Sequence, residues 1–339
     1  MYENSPKLVD YIMEIGRKWV SPPFNADGWR LDVAADLGFS NEYNHKFWKQ
    51  FRKAVKEANP NAIILAEHYG DAGSWLKGDE WDTVMNYDAF MEPLTWFFTG
   101  MEKHSDSFRE DMLGNAQSFV DAMTYHMSNF LTPSLQTAMN ELSNHDHSRF
   151  LTRTNHIVGR VDGLGNEAAS QNVSKPVMRE AVVMQMTWPG APTIYYGDEA
   201  GLCGFTDPDN RRTFPWGRED KELIRFHKEM ILIHKMYPVF THGSIKILTA
   251  EYNCLSYGRF SFEEQIAVAF NNNKEEKRLS IPVWQIGVGE EDQMVRLMIT
   301  DEEGFSTKSE IFDVEKGYVS LNLPPLSAVV LKKIKKTEN

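Results

Sequence analysis

The chain has 339 residues, 42% hydrophobic and 25% charged, enough to bury a substantial core in more than one domain. Its net charge of −12 is spread along the sequence, which argues against a nucleic-acid or anionic-membrane partner and suits an enzyme acting on a neutral substrate. Two cysteines, Cys203 and Cys254, stand in unrelated contexts and imply neither a disulfide framework nor a Cys-based metal site, and no apolar run is long enough to span a bilayer.

The opening MYENSPK carries no signal peptide, so a cytoplasmic location is expected unless a signal is missing ahead of Met1. Residues 5–19 space Leu8, Ile12, Ile15 and Trp19 along one face of a helix. In GWRLDVAADLG (28–38), Trp29, Leu31 and Val33 alternate with Arg30 and Asp32, which predicts a strand over 28–34 with guanidinium and carboxylate on one side. A helix over 44–58 and an apolar strand, AIILAEHY (62–69), follow, then a third strand candidate, DTVMNYDAF (82–90). After a Met- and Phe-rich helical stretch come MNELSNHD (139–146), a helix over 175–187, PTIYYGDEA (192–200) and a last amphipathic helix over 220–236.

Strands that read as apolar runs and alternate with helices are the pattern of a parallel sheet buried on both faces. Asp32 and Glu67 lie 35 residues apart, close to the roughly 31 residues per unit of an eight-stranded (β/α)8 barrel. From about residue 240 short segments such as GSIKIL, QIAVAFNN, MVRLMIT and LSAVVLKKI alternate with turns, which reads as a small antiparallel β domain. The expected domains are therefore 1–238, α/β, and 239–339, antiparallel β. Five barrel-type strands are counted where a closed barrel needs eight.

Three strand ends carry carboxylates: Asp32, Glu67 and Asp146. Cleavage of a glycosidic bond with retention needs one carboxylate as nucleophile and one carboxylic acid about 5–5.5 Å away. Neighbouring strands about 4.8 Å apart can supply that spacing. Arg30 would keep Asp32 ionised, apolar surroundings would let Glu67 start protonated, and His145 could donate to a sugar hydroxyl. Plainer readings exist for each. Arg30 and Asp32 also make an ordinary strand-end ion pair, Glu67 could cap a helix, and NHD (144–146) could be a loop cluster with a weak metal cue. YYGDE (195–199) reads as a strand end with Asp198 or Glu199 capping a helix, and DPDNRRTFPW (207–216) as a solvated turn with salt bridges.

GWRLDVAAD, AEHY, SNHD and GAPTIYYGDE, in this order, resemble the sequence blocks of the α-amylase family of glycoside hydrolases, and DPDNRRTFPW resembles a segment of its neopullulanase and cyclomaltodextrinase branch. The resemblance covers residues 5 to about 238, and the β domain fits the family's C-terminal domain. It implies Asp32 as nucleophile, Glu67 as general acid/base and Asp146 as transition-state stabiliser, with Arg30 and His145 binding around them. Asp207 and Arg211 match residues that touch sugar on the non-reducing side. It implies retaining hydrolysis of α-1,4, and in the second place α-1,6, glucosidic bonds in maltodextrins, cyclodextrins or pullulan, without a cofactor. The family's first three strands and inserted domain have no counterpart here, so the fold expected is the C-terminal part of a (β/α)8 barrel, about five βα units, then a β-sandwich. Any calcium site would belong to the missing part, and a second chain or a homodimer could supply the strands. The chain alone is then expected to turn over substrate poorly. The rival readings are a transglycosylase with the same acids, told by products larger than the substrate, and a non-catalytic glucan-binding fragment.

Overall fold

A computed structural model describes residues 4–336; Met1–Glu3 of the MYENSPK stretch and Thr337–Asn339 of the basic tail lie outside the described residues. The chain divides into two compact units: residues up to Ala89 with Thr124–Asn140, and Phe90–Met123 with residues from Glu141 onward. Each is described by itself.

In the first unit, the helix Pro6–Trp19 leads into strand β1 (Gly28–Leu31), and the helix Asn41–Ala58 into β2 (Ile63–Ala66) and β3 (Thr83–Val84). Ser40 starts the second helix, its hydroxyl oxygen accepting from the Tyr43 N–H at 3.1 Å, and Asn59 before Pro60 ends it. Phe47, Trp48, Phe51, Ala54 and Val55, spaced three to four apart, are its buried face, against Leu31, Ile64 and Trp81. The strands pair in parallel in the order β1-β2-β3, with Leu31 opposite Ala66 and Ala66 opposite Val84. Asp82 ties helix to sheet: it accepts from Arg52 at 2.7 Å, Lys56 at 2.8 Å and the Ile64 N–H at 2.8 Å. Burial raises its carboxyl, but these donors outweigh it and hold the group below its ordinary value.

The strands are shorter than the apolar runs suggest. β1 stops at Leu31, because Val33 turns into the left-handed region (φ 44°) and Ala34–Asp36 form a 3-10 turn. DTVMNYDAF is extended only at Thr83–Val84; Tyr87–Met91 coil into a wide helical turn that feeds the helix Glu92–Thr99. β4 (Met139–Glu141) makes a parallel bridge from Met139 to Met85, and β5 is Ala191–Thr193. Among the described residues five short strands precede residue 238, with helices between successive strands except between β2 and β3.

In the second unit the helix Lys175–Thr187 falls on the predicted bounds and is buried from Val177 to Thr187. The helix Lys221–Met236 follows, capped by Asp220, which accepts from the N–H groups of Glu222 and Leu223. Then come nine strands: β6 (Ser244–Glu251), β7 (Cys254–Phe260), β8 (Gln265–Asn271), β9 (Lys277–Ile281), β10 (Asp292–Thr300), β11 (Phe305–Ser306), β12 (Ile311–Asp313), β13 (Val319–Leu323) and β14 (Ser327–Lys335). They form an antiparallel sheet in the order β11-β10-β14-β8-β7-β6, with β12 also on β10, and a separate β9–β13 pair. Alternate residues of both, among them Ala267, Ala269, Ile281, Met294, Val319, Leu323 and Val329, share one core.

Gly28 lets β1 meet β2 closely. A Cβ there would lie 2.1 Å from the Ile63 carbonyl oxygen, which is backbone and cannot swing aside. Gly28→Ala is expected to cost about 1–3 kcal/mol, read as a lower urea midpoint at unchanged slope.

Candidate active site

The first unit holds Arg30, Asp32 and Glu67. Because β1 and β2 run parallel with Leu31 opposite Ala66, the next residues, Asp32 and Glu67, emerge side by side from the carboxyl ends of neighbouring strands. The Glu67 N–H donates to the Leu31 carbonyl at 2.8 Å and closes the pair. Arg30 then bridges the two acids: Nη1 donates to Asp32 Oδ1, and Nη2 lies 3.2 Å from Glu67 Oε1. Burial works against the Arg30 charge, but the bond to Asp32 and the charges of Glu67 and Asp32 hold the guanidinium above its ordinary value. The Asp32 side chain is 76% exposed and that of Glu67 9%. One acid is open to a reacting partner and the other is set into the wall.

The surroundings of Glu67 differ from the apolar ones expected. Its Oε2 accepts from the Val33 N–H at 3.0 Å and its Oε1 faces Arg30. The turn that ends β1 at Leu31 is what aims the Val33 N–H at Glu67, so the early end of the strand and the seating of this acid are one event. A cavity of about 200 Å³ opens beside Glu67, lined by Val33, Ala35, Asp36, His68 and Tyr69. The Tyr69 ring stacks on Tyr87 at 4.4 Å.

The second unit holds His145, Asp146, Asp207 and Arg211. His145 Nε2 lies 3.6 Å from Asp146 Oδ2, and Arg211 Nη2 lies 3.6 Å from Asp146 Oδ1 and 2.9 Å from Asp207 Oδ1. Arg211 Nε donates to the His145 carbonyl at 2.9 Å. The loop carrying Asp146 is shaped by Asn144, whose Oδ1 accepts from the N–H groups of Asp146 (2.9 Å) and His147 (3.0 Å). Asn210 holds it from the other side, its amide donating to the carbonyls of Asn144 (3.0 Å) and His147 (2.7 Å). Thr206 donates to the Asp146 carbonyl.

Two expectations need correction here. Neither Asp198 nor Glu199 caps a helix: Glu199 accepts from the Gly197 N–H within a turn, and Asp198 is a buried ion-pair partner of Arg149, 2.9 Å away. The segment 207–216 makes the salt bridges expected, Asp207–Arg211 and Asp209–Arg212, but it is not solvated throughout, since Asp209 and Asn210 are buried. Arg149 went unnoticed as a site residue. It donates to Asp198, to the Tyr196 carbonyl and to the Asn210 carbonyl, with its guanidinium 4.5 Å from the Tyr195 ring centre. Its place directly after SNHDHS was the one available signal. Among the described residues, no group of three or more His, Cys, Asp or Glu is arranged to hold a metal ion, and no helix is long and apolar enough to cross a membrane.

His147, fully buried beside Asp146, makes the fold sensitive to acid. Burial, with the charges of His104 and Arg153 adding to it, pushes its imidazole down to about 2. The unfolded chain takes up this proton near pH 6.5 and the folded chain does not, so stability falls as the pH drops. From pH 7 to pH 5 this one group is expected to cost about 2 kcal/mol. His147→Gln should remove that share of the pH dependence in urea titrations at the two pH values.

Residues 1–325 match the family model described as alpha amylase, catalytic domain. The chain is 33% identical over 288 residues to neopullulanase 2 of Thermoactinomyces vulgaris, covering 84% of this chain and 43% of that protein. It is 32% identical over 282 residues to a cyclomaltodextrinase of Geobacillus thermopakistaniensis, with 82% and 42% covered. Among solved structures, a debranching enzyme of Nostoc punctiforme superposes with a TM-score of 0.77 at 27% identity, covering 97% of this chain and 62% of that one. The chain thus spans less than half the length of the two relatives compared by sequence.

Proposed function

Because this chain belongs to the alpha-amylase family, we propose that it carries the acids of a retaining α-glucan hydrolase, within residues 1–238 as part of a (β/α)8 barrel followed by a β domain at 239–339. The observation that carries this reading is the Arg30 bridge. One guanidinium contacts both acid side chains at the ends of adjacent parallel strands, where neighbouring strands about 4.8 Å apart keep the two acids close. The exposed Asp32 attacks the anomeric carbon of an α-linked glucose as the bond to the leaving oxygen breaks, and Glu67, which must take up a proton before this step, hands it to that oxygen. Water then gives a proton back to Glu67 and attacks the same carbon, which frees Asp32. The net change is the addition of one water, and no cofactor enters either step. Arg30 keeps Asp32 anionic and aimed. Asp146 is assigned the stabilisation of the oxocarbenium-like transition state, and His145, Asp207 and Arg211 sugar contacts, on the strength of their motifs. The cavity beside Glu67 suits the leaving-group side of the substrate.

The relatives' names, neopullulanase and cyclomaltodextrinase, support substrates of the maltodextrin, cyclodextrin and pullulan class; the linkages read from the sequence resemblance are α-1,4 and, in the second place, α-1,6. Where the rest of a barrel is supplied, by this protein or a second chain, the side of β1 away from β2, which carries no strand among the described residues, is the edge it would join. The test is intact mass after incubation with a fluorinated α-maltosyl fluoride, whose second step is slow enough for even a sluggish chain to stay labelled. One maltosyl adduct per chain is expected. A folded chain that stays unlabelled at saturating reagent overturns the assignment for this chain. Product analysis on maltoheptaose separates hydrolysis from transglycosylation by whether products larger than the substrate form.

A further inference from the structure

A cavity of about 440 Å³ lies within the second unit, between turns of the antiparallel sheet and the start of the helix Lys175–Thr187. That volume is in the range of small-ligand sites, and none of the proposed catalytic residues lines it. Five of its lining residues are asparagines: Asn155, Asn172, Asn253, Asn272 and Asn273. No Asp or Glu lines it, in a chain with 48 acidic residues. Asn272 is only 8% exposed; its backbone N–H donates to the Asn253 carbonyl at 2.8 Å, and its side-chain amide lines the cavity without being sealed from solvent. A side chain so nearly buried, with its amide open only to the cavity, is placed to meet whatever enters it.

The backbone around the cavity is unusual as well. Eight non-glycine residues among those described have positive φ, and four of them line this cavity: His156 (59°), Asn172 (54°), Asn253 (59°) and Leu326 (45°). Asparagine tolerates that region, but leucine rarely does. Four separate turns are therefore held in special conformations around one space.

The donor set favours a neutral ligand over an anion. At the helix start Pro176 has no N–H, and the Val177 N–H is engaged by the Ser174 hydroxyl at 3.4 Å. The one lysine, Lys274, stands at the exposed rim. Amides that both donate and accept match pairs of hydroxyls, and the 64% exposed Tyr252 offers a ring face to the C–H side of a sugar. We propose that this cavity is a second, non-catalytic binding site for a short stretch of uncharged α-glucan, with the Asn272 amide as its buried anchor and Tyr252 as its platform. It rests on the α-glucan reading above for the identity of the sugar, not for the site.

The test is calorimetric titration of the 339-residue chain with maltotetraose, for the parent, Asn272→Ala and Tyr252→Ala, with the fluoride labelling run on each. Both variants are expected to weaken binding at one site at least tenfold, seen as the loss of one binding equivalent, while labelling stays at the parent level. Because Tyr252 is exposed, its variant keeps the test valid even if Asn272→Ala unfolds. Unchanged binding in both variants, no binding by the parent, or binding of inorganic phosphate in place of the sugar overturns the proposal. Failed labelling with Asn272-dependent sugar binding removes the catalytic reading and leaves this site standing. Intact labelling with Asn272-independent binding does the reverse.

Discussion

Asp32→Asn is expected to abolish the maltosyl adduct and to lower any measurable turnover on the order of 10⁴-fold, the scale on which a covalent nucleophile is missed. Asparagine keeps the size and the strand-end position of the side chain, so the loss reads on chemistry rather than on folding. The charge it removes is the one that Arg30 holds, while the second Arg30 contact, to Glu67, remains available to fix the guanidinium. The smaller Asp32→Ala provides a sharper check. It leaves a space beside an unsatisfied guanidinium, where azide can sit and attack the anomeric carbon of α-maltosyl fluoride, displacing fluoride to give the β-azide. Rescue with that inverted product would fix Asp32 as the attacking group. Loss of activity without rescue, in a variant of parental stability, would make Asp32 a structural partner of Arg30.

Arg149→Met is expected to cost about 3–5 kcal/mol of folding stability, because it strands Asp198 in the interior. The pair is almost wholly buried, with side-chain exposures of 0% and 5%. Burial already pushes the Asp198 carboxyl up, and the charge of Arg149 is first among the influences that oppose it. Without Arg149 the carboxyl rises further above its unfolded value. A group raised in this way destabilises the fold as pH climbs through the interval between the two values. The variant should therefore lose more stability at pH 8 than at pH 5, the opposite sign to the histidine effect. Arg149→Lys keeps the charge but cannot serve Asp198, the Tyr196 carbonyl and the Asn210 carbonyl at once, so only part of the loss should return. Urea midpoints at the two pH values check both statements. A loss independent of pH would mean that Asp198 titrates alike in both states.

Local signals carried much of the architecture. The helix Lys175–Thr187 was readable because Ser174 and Pro176 mark its start and apolar residues fill its length. The β domain was readable because turn residues punctuate its short apolar runs. What escaped was decided by distant partners. Alternation ran through Val33, yet the Val33 N–H is taken by Glu67, 34 residues away, and the chain bends there. Nothing near Glu67 in the sequence announced Arg30 as its neighbour, since AIILA before it speaks only of apolar burial. Arg149 has its partners 47 to 61 residues further along, and only the folded chain brings Tyr196, Asp198 and Asn210 to it. The acids themselves were legible as strand ends; their electrostatic setting was not.

β1 has β2 on one side and, among the described residues, no strand on the other. In the parallel register the Ile63 and Glu67 N–H groups bond to the carbonyls of Asp27 and Leu31, so the odd-numbered residues of β1 face β2. The amides of Gly28 and Arg30 then point outward. In deuterated solvent those two protons should exchange far sooner than those of Trp29 and Leu31, one residue away on the same strand. The residue that organises both carboxylates thus sits on backbone whose protection is only half complete. A partner strand docking along that edge would register first as slowed deuteration at Arg30.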